Sequence, residues 1–546
     1  MRSVGCVALA AFWAATIGFF CTFFSCFAPG ALGAYYKRPP DKGGLGLVRS
    51  ELGLAGNLAV TGTILMRLIS GPMCDTWGAR KTFIFLLMLG IPGMFLFAFS
   101  QGAITFTLGR MLIGLSLATF VTCQVWCSQF FDRSIVGKVN ATAGGWGNLG
   151  GGITLLTMPF IMEFFLAITG SNIGLSWRLC MIVPICMHLG SAFLISTGRD
   201  LPDGSYKQLE ASGAKQKSKG AANVVALGFS NTNAWIMLVT YGLCFGVELT
   251  MNNKLTPYFN RYYGMHPTLA GPLAACFSLM NLAARSWGGC LSDAMAKQFG
   301  LRGRIAAMWV IQTIEGLFCI LMGLVTVGYD SPDELKYDAN PELYPHVQGI
   351  FNYGSQTFVI PGELGDLSPC SSEMIRAPAT ALLNGVETSF PVALDSLIMI
   401  KDPAPTCIHN QNTLLTTMIC MICFSICVQM AEGLHFGIVP YISRPALGVV
   451  SGMVGAGGNA GAMVGGQVII GTYDPMDQGF IRLGTVIIIA SMIMHLIYFP
   501  EEGGILTPKG LGFNPQLIKE KAGQKGSDEL DFSKANATEG GADLKA

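Results

Sequence analysis

Residues 66–81 read Met-Arg-Leu-Ile-Ser-Gly-Pro-Met-Cys-Asp-Thr-Trp-Gly-Ala-Arg-Lys and place a single charge, Arg67, inside an apolar run. The same skeleton returns 218 residues later in the chain. Its spacing is arginine, glycine four residues on and aspartate eight residues on, and it occurs at Arg67, Gly71 and Asp75 and at Arg285, Gly289 and Asp293. This internal repeat indicates a fold built from two related halves.

The composition is that of a membrane protein with many spans. The chain has 546 residues, of which 51% are hydrophobic and 12% are charged, whereas a soluble domain carries about 25% charged residues. Because about 20 apolar residues cross a bilayer, the sequence predicts twelve membrane helices, in two groups of six. The runs lie at about 5–30, 52–73, 82–99, 103–128, 138–166, 177–197, 233–256, 267–291, 305–327, 412–438, 446–472 and 478–498.

Basic residues predict the orientation, since cytoplasmic loops retain lysine and arginine. They are concentrated in the loops after even-numbered runs, for example at Arg80, Lys81 and Arg302, although the first loop is also basic. We therefore expect both termini in the cytosol and a multi-pass protein of the plasma membrane. The first run is too long for a signal peptide and is taken as a retained helix.

A second pair of motifs is rich in glycine. Run five carries Ala-Gly-Gly-Trp-Gly-Asn-Leu-Gly-Gly-Gly at 143–152, and run eleven carries Gly-Ala-Gly-Gly-Asn-Ala-Gly at 455–461. Their asparagines, Asn148 and Asn459, are 311 residues apart. This separation exceeds that of the arginines by 93 residues, about the length of a polar insert at 328–411. Two six-helix halves with one late insertion account for every spacing.

The predicted organisation has four parts. The N-terminal half covers 1–197, a cytosolic linker covers 198–232, the C-terminal half covers 233–498 with an extracytoplasmic insert at 328–411, and a cytosolic tail covers 499–546. The insert is proline-rich and far longer than an ordinary loop, so we expect a small folded cap or partial disorder. Cys370 and Cys407 lie in it and could pair in an oxidising compartment.

The two arginines carry the strongest functional indication. An unpaired arginine at bilayer depth costs at least about 2.5 kcal/mol, so such residues usually face a cavity or a partner. Arg67 and Arg285 lie about two turns before the ends of their runs, and intramembrane acids look scarce, with Glu248 and Glu163 the main ones. Two guanidinium groups across a dry cavity would form a receptor for a small planar oxyanion.

Other polar residues leave two readings open. Asn148 and Asn459 could bind an anion or satisfy neighbouring backbone, and the surrounding glycines allow close helix approach. The loop of Gly71, Asp75, Gly78 and Arg80 is tight and basic, and Asp75 can cap the N-terminus of a neighbouring helix.

The motifs resemble a known family. The 71–81 loop and Arg110-Met-Leu-Ile-Gly114 are similar to signatures of the major facilitator superfamily. The two glycine-rich motifs resemble the nitrate signatures of its nitrate/nitrite porter family. Stretches at 199–204, 245–253 and 436–444 resemble the eukaryotic high-affinity branch. The resemblance covers the chain except for the insert, the tail and the first residues.

The resemblance implies an all-α membrane protein with the major facilitator fold and a specific substrate site. Arg67 and Arg285 would clamp the anion, and Tyr241 and Phe245 would contact it from helix seven. Asn148, of the first signature, would complete the pocket, and Asn459 is the equivalent residue of the second signature. Phe120 matches a family pocket residue but could be ordinary core. Arg110 matches the family's arginine of helix four or is a structural partner of a carbonyl or acid.

The function implied is import of nitrate, and of nitrite as well, by alternating access across the lipid bilayer. Relatives use protons, and sodium is the other cation considered; Glu248 is either the proton carrier or a structural acid that balances Arg67 or Arg110. Nitrate/nitrite exchange and a transporter-derived nitrate sensor are the alternatives. A small accessory membrane protein is a further partner considered. We expect no enzyme, cofactor, metal or nucleic-acid site, because the glycine-rich runs lie inside membrane helices.

Overall fold

The computed structural model describes eleven stretches of the chain. They are residues 2–132, 134–202, 204, 221–263, 267–326, 347–353, 356–361, 398–400, 414–470, 476–500 and 502–508. The predicted pair Cys370 and Cys407 lies outside these residues, as do most of the insert, most of the linker and the end of the tail. The linker, insert and tail boundaries therefore stay predictions.

Eleven helices in the described residues are long and apolar enough to cross a membrane. One of them, Leu269–Val325, has 57 residues, and at 1.5 Å per residue it would be more than twice as long as the bilayer core is thick. Its backbone leaves the helical conformation at Gly300, where φ is 63° and ψ is −151°, a region that glycine tolerates best. It therefore forms two crossings, and the prediction of twelve is confirmed.

We label the twelve crossings α1–α12. They are α1 Arg2–Ala31, α2 Arg49–Trp77, α3 Ala79–Ala98, α4 Ala103–Ser116 with Thr119–Phe130, α5 Val136–Ile168, α6 Ile173–Leu179 with Ile182–Ser196, α7 Thr232–Gly242 with Phe245–Tyr263, α8 Pro267–Leu279 with 284–299, α9 301–325, α10 Leu414–Phe436, α11 Leu447–Met463 and α12 Met476–Ser491. A π-helix, Val464–Ile469, extends α11, and a 3-10 turn, Met492–Leu496, follows α12. Two shorter helices, Gly33–Tyr36 and Ala221–Phe229, and 3-10 turns at Pro40–Lys42, Met280–Leu282 and Val439–Tyr441 complete the helical elements described.

The halves meet along two related pairs of helices, α2 with α11 and α5 with α8. Glycines allow this close contact. A Cβ atom at Gly71 would lie 2.5 Å from the carbonyl oxygen of Gly448, and one at Gly145 would lie 2.7 Å from that of Asn281. The largest buried hydrophobic cluster spans both halves and includes the rings of the site described below.

Part of the insert and the end of the predicted linker contain regular structure. Part of the insert forms a three-stranded antiparallel sheet in the order β1 Val347–Tyr353, β2 Gln356–Pro361, β3 Ile398–Ile400, with Ile350 opposite Val359 and Val359 opposite Ile398. The end of the predicted linker forms the helix Ala221–Phe229, which packs on α2 and α11. The middle of the predicted linker, 205–220, lies outside the described residues.

Candidate substrate site

Arg67 lies on α2 with a relative exposure of 0%. Its Nη1 donates to the carbonyl oxygen of Gly455 on α11, at 2.5 Å. Its Nε and Nη2 atoms have no hydrogen-bond partner among the residues that the structure describes. Since α2 continues to Trp77, Arg67 is ten residues from the helix end, nearly three turns rather than the predicted two. The charge is thus deep in the bundle and has free donors.

Arg285 is equally buried, on α8. Its Nη1 forms an ion pair with Glu432 of α10, and its Nη2 donates to the hydroxyl of Tyr241 at 2.9 Å. Within the described part of the chain, its Nε is unpartnered. The second arginine of the repeat is therefore held by a carboxylate, whereas the first is held by a backbone carbonyl.

Three aromatic rings form one wall beside both arginines. Phe120, Tyr241 and Phe245 are stacked with interplanar angles of 6–14° and centroid distances of 5.4–6.1 Å. The guanidinium carbon of Arg67 lies 4.9 Å from the Phe120 centroid and 5.3 Å from that of Phe245, and that of Arg285 lies 5.7 Å from the Phe120 centroid. The pairs are within cation–π range, so the structure brings five predicted site residues together.

Helix interruptions position these side chains. Phe120 follows a break in α4 between Ser116 and Thr119, and Tyr241 and Phe245 flank a break in α7 between Gly242 and Phe245. Arg285 follows the 3-10 turn of α8. Interrupted helices are common at transporter binding sites because they free backbone groups and turn side chains inward. The apolar runs of the sequence give no sign of these breaks.

The glycine signatures make room for the same side chains. A Cβ atom at Gly144 would lie 3.0 Å from Nε of Arg285, and one at Gly455 would lie 3.3 Å from Cδ of Arg67. At Gly458 it would lie 2.5 Å from Cδ1 of Phe245. The glycines therefore serve the arginines and rings as well as the helix contacts predicted from the sequence.

Asn148 and Glu248 belong to a buried amide–carboxylate network. The Nδ2 of Asn148 donates to one oxygen of Glu248 at 3.2 Å, and the Nδ2 of Asn281 donates to the other at 2.7 Å. All three side chains are at most 2% exposed. Glu248 is thus bound by amides. Neither Arg67 nor Arg110 is its ion-pair partner, although the structural role considered for Glu248 was to balance one of these arginines.

Asn459 lies on α11 beside Gly458, which packs on the ring wall, and it is 1% exposed. Its Nδ2 donates to no group among the described residues. Arg110 has a different position. Its Nη1 donates to the carbonyl oxygen of Cys26 on α1, at 2.8 Å, which fits its structural reading.

The view that intramembrane acids are scarce was wrong, because it overlooked Glu315 and Glu432. Both are 0% exposed, on α9 and α10, and Glu432 is the ion-pair partner of Arg285. Glu163 is exposed at the end of α5. A search for acids inside runs nine and ten would have found both residues, but no sequence signal assigns Glu432 to Arg285.

The repeated aspartates bridge the two halves, and Asp75 caps a neighbouring helix as predicted. Its carboxylate accepts from the N–H groups of Gly448 and Val449, at 2.8 and 3.0 Å, at the start of α11. Asp293 accepts from those of Gly137 and Lys138, at 3.1 and 2.7 Å, at the start of α5. Carboxylates are favoured at helix N-termini. We call these two contacts the aspartate latches.

The other residues of the repeated motif support the latches. Gly78 turns the chain between α2 and α3 with φ of 96°, and Gly289 packs against Gly137. Asp293 also forms an ion pair with Arg304, at 2.7 Å. Arg80 pairs with Asp200, at 2.5 Å, at the start of the predicted linker.

Asp75→Asn and Asp293→Asn are each expected to lower the thermal unfolding temperature, because each removes charge-assisted bonds worth about 1.5–3 kcal/mol. The two effects should add in the double variant to within about 0.5 kcal/mol, since the sites are separate. Thermal unfolding of the purified protein measures this. Asp41→Asn, in an exposed loop, is the control. The prediction would be contradicted if this control and the latch variants unfolded at the same temperature.

The chain matches known proteins over most of its length. It matches the Major Facilitator Superfamily over residues 15–332. It is 34% identical to nitrate transporter 2.1 of Chlamydomonas reinhardtii, over 91% of this chain and 76% of that one. It is 32% identical to high affinity nitrate transporter 2.5 of Arabidopsis thaliana, over 89% and 79%.

More distant similarities agree in fold. Identity to the nitrate/nitrite transporter NrtP of Picosynechococcus is 22%, over 77% of each chain. The crystal structure of the E. coli fucose:proton symporter superposes with a TM-score of 0.53 at 11% identity, covering 89% of this chain and 99% of that one. The helices, the internal repeat and these similarities show that the chain belongs to the major facilitator superfamily and, within it, to the family of high-affinity nitrate transporters.

Proposed function

We propose that this protein imports nitrate, and nitrite by the same site, by alternating access driven by protons. The observation that carries the proposal is the pair of fully buried arginines beside one aromatic wall. Counting partners among the described residues alone, their free donors are Nε and Nη2 of Arg67 and Nε of Arg285. The relatives named nitrate transporters support nitrate as the substrate.

The chemistry of the site suits a flat monoanion. Nitrate is planar and carries its charge on three oxygens, so two guanidinium groups can bind different oxygens while a ring packs against its face. Phe120 and Phe245 offer that face, and Tyr241 offers a hydroxyl already bonded to Arg285. Nitrite presents two oxygens to the same donors, which supports both anions as substrates.

The asparagines have different proposed roles. Asn459 can supply a donor, since its Nδ2 is free within the described residues. Asn148 uses one N–H of its Nδ2 on Glu248, so in this conformation it orients the carboxylate and keeps one further N–H donor on the same nitrogen. Asn148 is thus proposed as a link between Glu248 and the pocket.

Movement between two access states is proposed to follow the interface between halves. The aspartate latches hold α2 against α11 and α8 against α5. Breaking the latches while the opposite end of the interface closes, and then the reverse, would expose the arginines to each side of the membrane in turn. Uphill entry of an anion against a negative-inside potential costs about 2.3 kcal/mol per charge per 100 mV, so coupled cations are needed.

Voltage clamp of cells expressing the protein tests the proposal, with nitrate applied at two pH values and with sodium replaced. We expect a nitrate-dependent inward positive current that is larger at low external pH and unchanged without sodium. Sodium dependence would indicate a sodium symporter instead. Electroneutral nitrate entry that requires internal nitrite would indicate exchange and would overturn the proton-coupled proposal.

A further inference from the structure

Glu432 pairs with one of the two arginines that are proposed to bind the anion. It is 0% exposed and its Oε2 forms the ion pair with Nη1 of Arg285. Its other oxygen, Oε1, accepts from no N–H or O–H group in the described parts of the chain, and its carboxyl group lies against that of Glu248. Nε of Arg285 is free among the described residues whereas Nη1 is held by Glu432, so an anion that also uses Nη1 competes with Glu432 for this guanidinium group.

The surroundings of Glu432 contain one cation and several acids. It faces Tyr241, Cys244 and Glu248 on α7, Arg285 on α8 and Glu315 on α9. On its own helix, His435 lies nearly one turn further on. Both nitrogens of that ring are engaged, Nδ1 with the carbonyl oxygen of Ala431 at 2.7 Å and Nε2 with the hydroxyl of Thr240 at 3.0 Å. Arg285 is therefore the counterion of Glu432.

The three buried carboxyl groups differ in what stabilises an ionised form. Glu248 accepts from two amides, Glu432 has Arg285, and both oxygens of Glu315 lack partners within the described residues. A carboxylate buried without a donor or a cation is strongly disfavoured, so Glu315 holds a proton in this conformation. Glu432 would meet the same cost once an anion takes Arg285.

We propose that Glu432 is the coupling residue: an anion that binds Arg285 displaces the Glu432 carboxylate, which then takes up one proton. The proton comes from water on the side to which the site is open, and it leaves when the anion departs and the ion pair forms again. The step adds one proton and one anion to the site and leaves its net charge unchanged, so the inward positive current expected above requires a second proton, carried by another group. This inference rests on the proposed nitrate import and replaces Glu248 as the carrier.

Nitrate binding to the purified protein tests the inference by calorimetry in buffers of different ionisation enthalpy. The wild type should take up a proton with nitrate, and its apparent Kd should rise by up to tenfold per pH unit once Glu432 is ionised in the empty site. Glu432→Gln should bind nitrate without proton uptake and with a Kd that does not change with pH. The neutral amide leaves Arg285 free, so this Kd should match that of the wild type at low pH.

Two further variants identify the group. Glu163→Gln, at an exposed site on α5, should behave as the wild type. In Glu248→Gln the Kd for nitrate should still depend on pH. The inference would be overturned if this pH dependence were lost in Glu248→Gln and kept in Glu432→Gln. If Glu432→Gln fails to fold, Glu432→Asp provides the test. The shorter aspartate side chain pairs poorly with Arg285, so proton uptake on nitrate binding should fall. Unchanged proton uptake would overturn the inference.

The inference and the proposed function fail in different ways. A wild-type protein that binds no nitrate would overturn the proposed substrate. A wild type that binds nitrate without proton uptake, or a Glu432→Gln variant that accumulates nitrate in proteoliposomes under a pH gradient as the wild type does, would overturn the role of Glu432 and leave nitrate binding intact.

Discussion

Nitrate uptake is expected to be lost in Arg67→Ala and in Arg285→Ala, with the protein still present in the membrane. Each substitution removes charge-assisted hydrogen bonds from a buried site, at about 1.5–3 kcal/mol per bond. Two such bonds correspond to a loss of at least about 100-fold in binding. Uptake of isotopically labelled nitrate, normalised to surface protein, measures the effect.

Lysine at either position should rescue poorly. A lysine ammonium group cannot bind two oxygens in the planar geometry of guanidinium, and at position 285 it would also have to reach both Glu432 and Tyr241. Arg38→Ala is the control, since that arginine lies in an exposed loop. Uptake at the wild-type rate by Arg67→Ala would rule out the two-arginine clamp.

Gly458→Ala should reduce nitrate uptake at least about fivefold. The added Cβ would lie 2.5 Å from Cδ1 of Phe245 and 3.0 Å from Cδ1 of Tyr241. Overpacking of this kind typically costs about 1–3 kcal/mol, and the stacked rings have little room to move because Phe120 packs against both. The ring wall would shift relative to both arginines.

Gly190→Ala is the matched control for this substitution. Gly190 lies on α6, and a Cβ atom there would meet nothing within 4 Å. Both variants add one methyl group to a membrane helix, so a difference between them reports the site rather than glycine content. Nitrate uptake and thermal unfolding of the two variants should be measured together, and equal uptake would contradict the proposed wall.

The sequence predicts the fold well because the repeat is in the chain itself. The spacings of Arg67, Arg285, Asn148 and Asn459 place two halves and an insertion, and hydropathy is a strong signal for membrane helices. The same spacings predict that the aspartates occupy equivalent positions. Their contacts across the two halves then follow from the geometry of α2 with α11 and α5 with α8.

The finer structure of the site could not be predicted in this way. Hydropathy does not report where a helix is interrupted, so the breaks beside Phe120, Tyr241 and Arg285 were missed. The partner of Arg285 depends on how α8 and α10 are rotated, and α10 follows a long insert that gives no register. The structure was therefore needed to identify Glu432 as the partner of Arg285. The sequence alone shows only that an acid lies inside that apolar run.

The aspartate latches have a consequence for hydration. Four backbone N–H groups, at Gly137, Lys138, Gly448 and Val449, depend on carboxylates from the opposite half. In the proposed alternating access, separation of the halves at the latches would require those groups to find water, because buried N–H groups are rarely left unpaired. Such opening would wet the amino ends of α5 and α11, the two helices that carry the glycine signatures.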